Sequence, residues 1–193
     1  MFELIAGHPA LDLVNTLDWR FSNRASEELL ASYDDLLQFT RQCGLVRVRP
    51  SVGRGAGLRV LRRSIELREA LAEIFYAGLD RRESAAAARR TVERYFHEVR
   101  LHDRLNWTHS PHLAWEPANL PAAELPLWAL AASACDLMTS EAVERVRACN
   151  NPECRWLFLD TSKNRTRRWC DMAVCGNRMK ARRFRAHNRS AAS

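Results

Sequence analysis

Four cysteines near the end of the sequence constrain this chain more than any other feature. Cys149 and Cys154 form one C-x4-C pair, Cys170 and Cys175 form another, and fifteen residues separate the two pairs. The segment that carries them is too small to bury much core by itself and needs a staple. Four soft thiolates at paired local spacings match a tetrahedral structural zinc site. Each pair can close a tight turn, and the first contains Asn150, Asn151 and Pro152, residues suited to a bend. The second delivers the chain into a helix at Cys175, whose N-terminal end favours the thiolate. With four protein ligands no position stays open, so the expected cofactor is a single structural Zn2+. An iron–sulfur cluster, disulfides and four unrelated thiols are the competing readings, and the spacing and a reducing compartment favour zinc. Cys43 and Cys135 lie in apolar helical patterns and read as buried free thiols. His8, His97, His102, His109 and His112 are remote from the cysteines and mutually unpatterned, so they are not read as ligands.

Charge divides the chain at the same place. Residues 149–193 hold 11 Lys or Arg against Glu153, Asp160 and Asp171, a surplus of eight, whereas residues 1–148 hold 19 basic and 20 acidic residues. A near-neutral body with a basic module points to a polyanionic partner for the module. The first residues, MFELIAGHPALDLVNT, lack a positive n-region and carry Glu3 and Asp12, a poor signal peptide. No apolar run approaches the roughly 20 residues of a membrane helix. A cytoplasmic protein with no membrane partner is expected.

The body reads as helical. Ser32 and Asp35 form a helix start, Leu36, Phe39 and Cys43 follow helical spacing, and Gly44 is a terminator. After the Pro/Gly-rich loop Arg47–Gly57, the residues Leu58, Leu61, Ile65, Ala72, Phe75 and Leu79 lie near one helical face. A further helix runs from about 84 to 105, with Val92, Tyr95, Phe96 and Val99 inward. Four prolines over residues 109–126 predict an extended connection, and Leu127–Met138 is apolar enough to be a central buried helix. Residues 145–149, 155–160 and 168–170 read as short strands, and a helix is expected from Cys175 to about His187. The expected fold is mainly α. A helical domain at 1–140 precedes a small α+β module at 141–189, of zinc-ribbon or treble-clef type with a C-terminal basic helix, and 190–193 form a disordered tail.

The run CNNPECRWLFLDTSKNRTRRWCDMAVCGNRMKARRFR resembles the bacterial CGNR zinc-finger family over about residues 145–187. The likeness rests on the paired cysteines, Phe158, Asp160, Ser162-Lys163-Asn164, Arg167-Arg168-Trp169-Cys170 and Cys175-Gly176-Asn177-Arg178. The run from Gly7 to Thr16, GHPALDLVNT, is similar to the ABATE domain that usually precedes this finger. The resemblance implies a stress-related transcriptional regulator with a nucleic-acid-binding zinc module.

Arg178, Arg182, Arg185 and Arg189 fall within about a 60° stripe of one helix face, and a helix from Cys175 to His187 is about 20 Å long. Such a helix fits a major groove, and arginine suits bidentate contacts to phosphate or guanine. The connecting loop adds Lys163, Arg165, Arg167 and Arg168, and the helix adds Lys180 and Arg183. Duplex DNA is the expected partner, ahead of RNA bound by the same surface. A protein–protein adaptor with a purely structural finger is the remaining alternative. Arg178 is expected to brace the zinc loop, Trp169 to fill core beside Cys170, and Phe184 to pack on the module or the body. A homodimer would help specificity, since one finger makes few base contacts. His8, Asp12, Asn15 and Thr16 do not amount to a catalytic cluster, and no nucleophile elbow, phosphate loop or zinc-protease helix is present, so no enzyme is expected. Asp12 and Asn15 read as helix-capping or tethering groups. The sharper alternative makes His8, Asp12 and Asn15 part of an effector pocket.

Overall fold

The computed structural model describes the chain from residue 1 to residue 190, without the side chains of residues 183, 186, 187, 189 and 190. Arg183 and Arg189, both expected to contact nucleic acid, and the tail at 191–193 therefore lie outside the described residues. Six helices carry the fold: α1 (Pro9–Asn15), α2 (Tyr33–Gln42), α3 (Arg54–Leu79), α4 (Ala86–His102), α5 (Leu125–Thr139) and α6 (Asn177–Ser190). Three antiparallel two-stranded ribbons accompany them: β1 (Leu17–Asp18) with β2 (Glu27–Glu28), β3 (Asp103–His109) with β4 (His112–Pro117), and β5 (Val146–Ala148) with β6 (Leu157–Leu159). No helix among the described residues is long and apolar enough to cross a membrane.

The apolar run expected at Leu127–Met138 is indeed central. Leu130, Ala131, Ala134 and Leu137 of α5 are buried, and α5 touches α1, α2, α3 and α4. A helix apolar on nearly every side has to be enclosed in this way. Helix α2 begins as its sequence predicts, with Ser32 Oγ accepting from the Asp35 amide at 3.1 Å. Helix α3 packs Val60, Leu67 and Leu71 inward, and α4 contributes Val92, Tyr95 and Val99.

Three expectations change. The helix expected to run from 84 to 105 stops at His102, and residues expected to be an extended connection form the second strand of a hairpin. Leu105 and Trp107 in β3 alternate with polar residues, and Leu113 and Trp115 in β4 alternate with His112, the small Ala114 and Glu116. Period-two patterning of β-formers outweighs two prolines, one in the connection (Pro111) and one at the very end of β4 (Pro117). No third strand forms at 168–170; the segment serves instead as an arm of the cysteine site.

The β5–β6 ribbon shares the body's core, while Cys149, Phe158, Cys170 and Cys175 form a second, smaller buried cluster. Val146 of β5 and Leu157 of β6 are buried in the same cluster as α1, α3 and α5. The run from Gly7 to Thr16 makes this junction. Gly7 adopts φ 75°, a left-handed turn that suits glycine, and the turn brings the Ala6 carbonyl to the Leu159 amide at 2.7 Å. Asn15, buried at the end of α1, accepts from the Leu157 amide and donates to the Leu157 carbonyl, both at 2.9 Å. A side-chain amide thereby continues the ladder of β6 where no strand is available.

Candidate metal centre

The first ligand arm grows from the β5–β6 ribbon. The Cys149 amide donates to the Trp156 carbonyl at 2.9 Å, which extends the ladder to the first cysteine. A turn follows in which the Cys154 and Arg155 amides both donate to the Asn151 carbonyl, at 2.9 and 3.0 Å. The second arm is set by two aspartates. Asp160 is buried; its Oδ1 accepts from the Ser162 amide and hydroxyl at 3.0 and 2.6 Å, and its Oδ2 accepts from the Arg167 amide at 3.0 Å. Hydrogen bonds from Ser162 hold its carboxyl below the ordinary value. Asp171 then caps one wide π-helical turn, Met172–Gly176, by accepting from the Val174 amide at 2.7 Å. A Cβ at Gly176 would displace the exposed end of Met172 and press on the Trp169 ring at 3.2 Å, so a small residue suits the entry into α6. The arms are joined by the Asn150 amide, which donates to the Arg168 carbonyl at 2.9 Å.

These turns bring the sulfurs of Cys149, Cys154, Cys170 and Cys175 within 4.8 Å of one another. All six cysteines are free thiols, and the Cys154–Cys170 and Cys170–Cys175 sulfurs are 3.7 Å apart. A disulfide needs about 2.05 Å, so the cluster is not a bridge. Zinc–thiolate bonds of about 2.3 Å in a tetrahedron put sulfurs about 3.8 Å apart, close to the 3.7 Å of these two pairs. Hydrogen bonds from Cys154 and Cys170 pull the Cys149 thiol far below its ordinary value, while Cys154 is pushed up. Four sulfurs at this distance can all ionise only around a cation. The donor set fits one structural zinc. Three of the four cysteines are buried, and Asn151 Nδ2 reaches Cys175 Sγ at 3.7 Å, the outer contact that orients a thiolate ligand. Sequence alone assigns Asn151 only a place in the bend; its contact to a ligand sulfur is a finding of the structure.

The basic residues divide by environment. Lys163, Arg165, Arg168, Arg178, Lys180, Arg182 and Arg185 are exposed. Arg167 is not free: its guanidinium donates to the Trp169 carbonyl at 2.9 Å and to the Cys170 carbonyl, and it covers the Phe158 ring at 4.4 Å. It belongs to the frame of the second arm, half-buried where the other basic residues of the loop are exposed. Arg178 lies over the Trp19 ring at 5.9 Å, so it braces the finger against the body. Trp169 packs against the cysteine cluster as expected, whereas Phe184, expected to be covered, is 67% exposed. The arginine stripe faces the first ligand turn across a groove of about 580 Å³ that includes Arg178, Arg182, Arg185, Asn151 and Glu153. Arg182 approaches Glu153 at 3.5 Å.

The three residues of the suggested effector pocket do not act together. His8 Nδ1 accepts from the Ala10 amide at 3.3 Å as the cap of α1, and burial lowers its pKa. Asn15 is spent on Leu157. Asp12 and Asn15 border a cavity of about 530 Å³ between body and finger, together with Cys154, Cys170, Cys175 and Arg178; His8 is not part of its wall. Asp12 Oδ1 accepts from the Ala6 amide at 3.0 Å, so its first duty is to fold the N-terminal turn.

No curated protein matches the chain. A family model described as "CGNR zinc finger" matches residues 145–188. The model of the ABATE family, described as "Putative stress-induced transcription regulator", matches residues 7–141. The ABATE match spans well over half of the sequence and ends where the cysteine module begins, so the chain belongs to the ABATE family and carries a CGNR zinc finger behind its helical body.

Proposed function

We propose that the protein is a transcriptional regulator that grips duplex DNA with its finger while the helical body holds the finger in place. The observation that carries this reading is the placement of charge. The surplus of eight positive charges sits on residues 149–193, and seven of those basic side chains are exposed around one zinc-ordered scaffold. Phosphate contacts supply affinity with little sequence information, and α6 supplies the element for base readout. Lys163 and Arg165 on the second arm point to backbone gripping, because neither side chain has a protein partner among the described residues.

A salt titration tests the reading. Binding of the zinc-loaded protein to a duplex, followed by fluorescence anisotropy, should weaken steeply with salt. Replacing Lys163 and Arg165 by Ala should lower the slope of log K against log salt by about 2 and weaken all sequences alike. An unchanged slope would remove these two residues from the interface, and no binding by folded, zinc-loaded protein would remove the reading.

One feature favours RNA as the second reading. Phe184 stands exposed on the side of α6 that carries Lys180, and an aromatic ring beside cations is a platform for an unpaired base. Selection from mixed duplex DNA and RNA pools separates the two. Enrichment of single-stranded RNA with loss on Phe184→Ala would put RNA first.

A further inference from the structure

The β3–β4 ribbon has a face that nothing in the monomer explains. Its register sets Leu105 opposite Trp115 and Trp107 opposite Leu113. Strand alternation puts these four on one face, and they are 47%, 56%, 65% and 44% exposed in that order. The other face carries Arg104, Asn106, Ala114 and Glu116: Arg104 stands opposite Glu116, and Asn106 Nδ2 donates to Glu116 Oε2 at 3.0 Å. The ribbon forms a sheet of its own with two strands. A lone two-stranded ribbon in water is marginal, and one-sided burial is what an antiparallel ribbon ordinarily uses to become stable.

We propose that this face is the homodimer interface, with the same face of a second copy as its occupant. The inference goes beyond the nucleic-acid reading and does not depend on it. Three observations select a second copy. The first is area: two half-exposed tryptophans and two half-exposed leucines offer on the order of 500 Å² of apolar surface, the core of an interface that takes about 800 Å² from each partner. The second is pattern. Trp and Leu alternate as a checkerboard, Leu105 and Trp115 in one row, Trp107 and Leu113 in the next. Turning a copy over about either two-fold axis in the plane of the face lays every indole on a leucine of the partner. An isologous contact needs that self-complementarity. The third is charge. Residues 103–117 carry Asp103, Arg104 and Glu116, a net of one negative charge, so the ribbon has no attraction for phosphates. Asp103 is already paired with Arg100 at 3.1 Å at the base of the ribbon, and Arg100 lies over Trp115 at 5.9 Å, at the rim of the face. A charged rim around an aromatic centre is the ordinary build of an interface.

Sedimentation velocity on the full, zinc-loaded chain, freed of nucleic acid, tests this from about 1 to 100 μM, the weak end of the range for such interfaces. The expected result is a dimer in the wild type. Trp107→Lys places a cation at the centre of the face on both copies and should weaken the dimer at least ~30-fold. Trp115→Lys should do the same and covers the case in which the first variant does not fold. Asn106→Lys, on the opposite face of the same strand, should leave the dimer unchanged. Far-UV circular dichroism and zinc content should match the wild type in the variants that are scored. A wild type that stays monomeric at the highest concentration overturns the proposal. So does a Trp107→Lys or Trp115→Lys dimer as tight as the wild type, or an Asn106→Lys variant as weakened as they are.

Discussion

Asp12 shows how far a single side chain can be read. Its sequence context suggests a tether, and the structure makes it one, through the Ala6 amide. The tether works against solvation. Asp12 is 5% exposed, and burial raises its carboxyl to about 6, partly offset by hydrogen bonds from the Ala6 and Ile5 amides. No cation faces it. Its half-buried neighbour Cys43 is itself pushed up to about 12, by burial first and by the Asp12 charge second. The folded state therefore binds this proton more tightly than the unfolded state does. That contribution is fully present below the unfolded value near 4 and is lost as pH rises through about 6. Two pKa units correspond to about 3 kcal/mol. Asp12→Asn keeps an oxygen for the Ala6 amide and removes the charge. The variant should be more stable than the wild type at pH 7.5, with the difference shrinking as pH falls toward 5. Denaturant unfolding of both proteins across that range checks this. A difference that does not vary with pH would mean that Asp12 is neutralised by a group other than the proton.

Elements differ in how plainly the sequence announces them. Helix α2 follows from its Ser32 cap and periodicity, α3 and α4 from apolar periodicity (although Leu58, read onto the α3 face, is exposed) and α5 from its unbroken apolar run, because all four meet one common core. The cysteine centre follows from spacing, because each ligand pair closes its own turn and Phe158, Asp160 and Ser162 organise only local chain. The β3–β4 ribbon was hidden because its alternating face has no core within the monomer and its connection holds a proline. The partnership of α1 with β6 was hidden for a different reason. It joins Asn15 to Leu157 across 142 positions, and no local pattern encodes such a pairing. That partnership sets the outcome of breaking the metal site. Replacing Cys170 by Ser should abolish stoichiometric zinc binding and loosen the second arm and α6, since a segment of this size has no other staple. Strand β6 should survive, because Asn15 holds the Leu157 amide and Ala6 holds the Leu159 amide. Hydrogen exchange should therefore show fast amides in α6 and persistent protection at Leu157 and Leu159. Equal loss in β6 and α6 would mean that the ribbon belongs energetically to the metal, not to the body.

At the scale of the whole molecule, the finger is attached by more than a linker. Trp156 Nε1 donates to Asp18 Oδ1 at 2.9 Å, Tyr76 donates its hydroxyl to the Arg155 carbonyl at 3.0 Å, and Arg155 pairs with Asp80 at 2.5 Å. Arg155 also lies over the Phe21 ring at 4.8 Å. Arg155 and Trp156 follow directly on Cys154, so zinc fixes the very residues that reach α3 and the β1–β2 ribbon. A sensor in the body and a reader in the finger would communicate through this seam, since a shift of Trp19 or Asp18 moves a residue adjacent to a ligand arm. The seam makes a thermodynamic demand. If the two parts folded independently, removing zinc would abolish a small transition and leave the body's melting unchanged. If the seam is energetically real, zinc removal releases about three contacts worth roughly 1 kcal/mol each, and the body's own transition should fall by roughly 10 °C. Calorimetry with and without a strong chelator checks this, with helical ellipticity read in parallel to follow the body. Trp156→Phe removes one of the seam hydrogen bonds without touching a ligand. It should lower the zinc-loaded transition by a few degrees and shrink the chelator's effect, because part of what zinc holds in place is then already lost. A chelator effect of unchanged size in Trp156→Phe would place the coupling elsewhere, with the Asn15–Leu157 ladder as the remaining route between the parts.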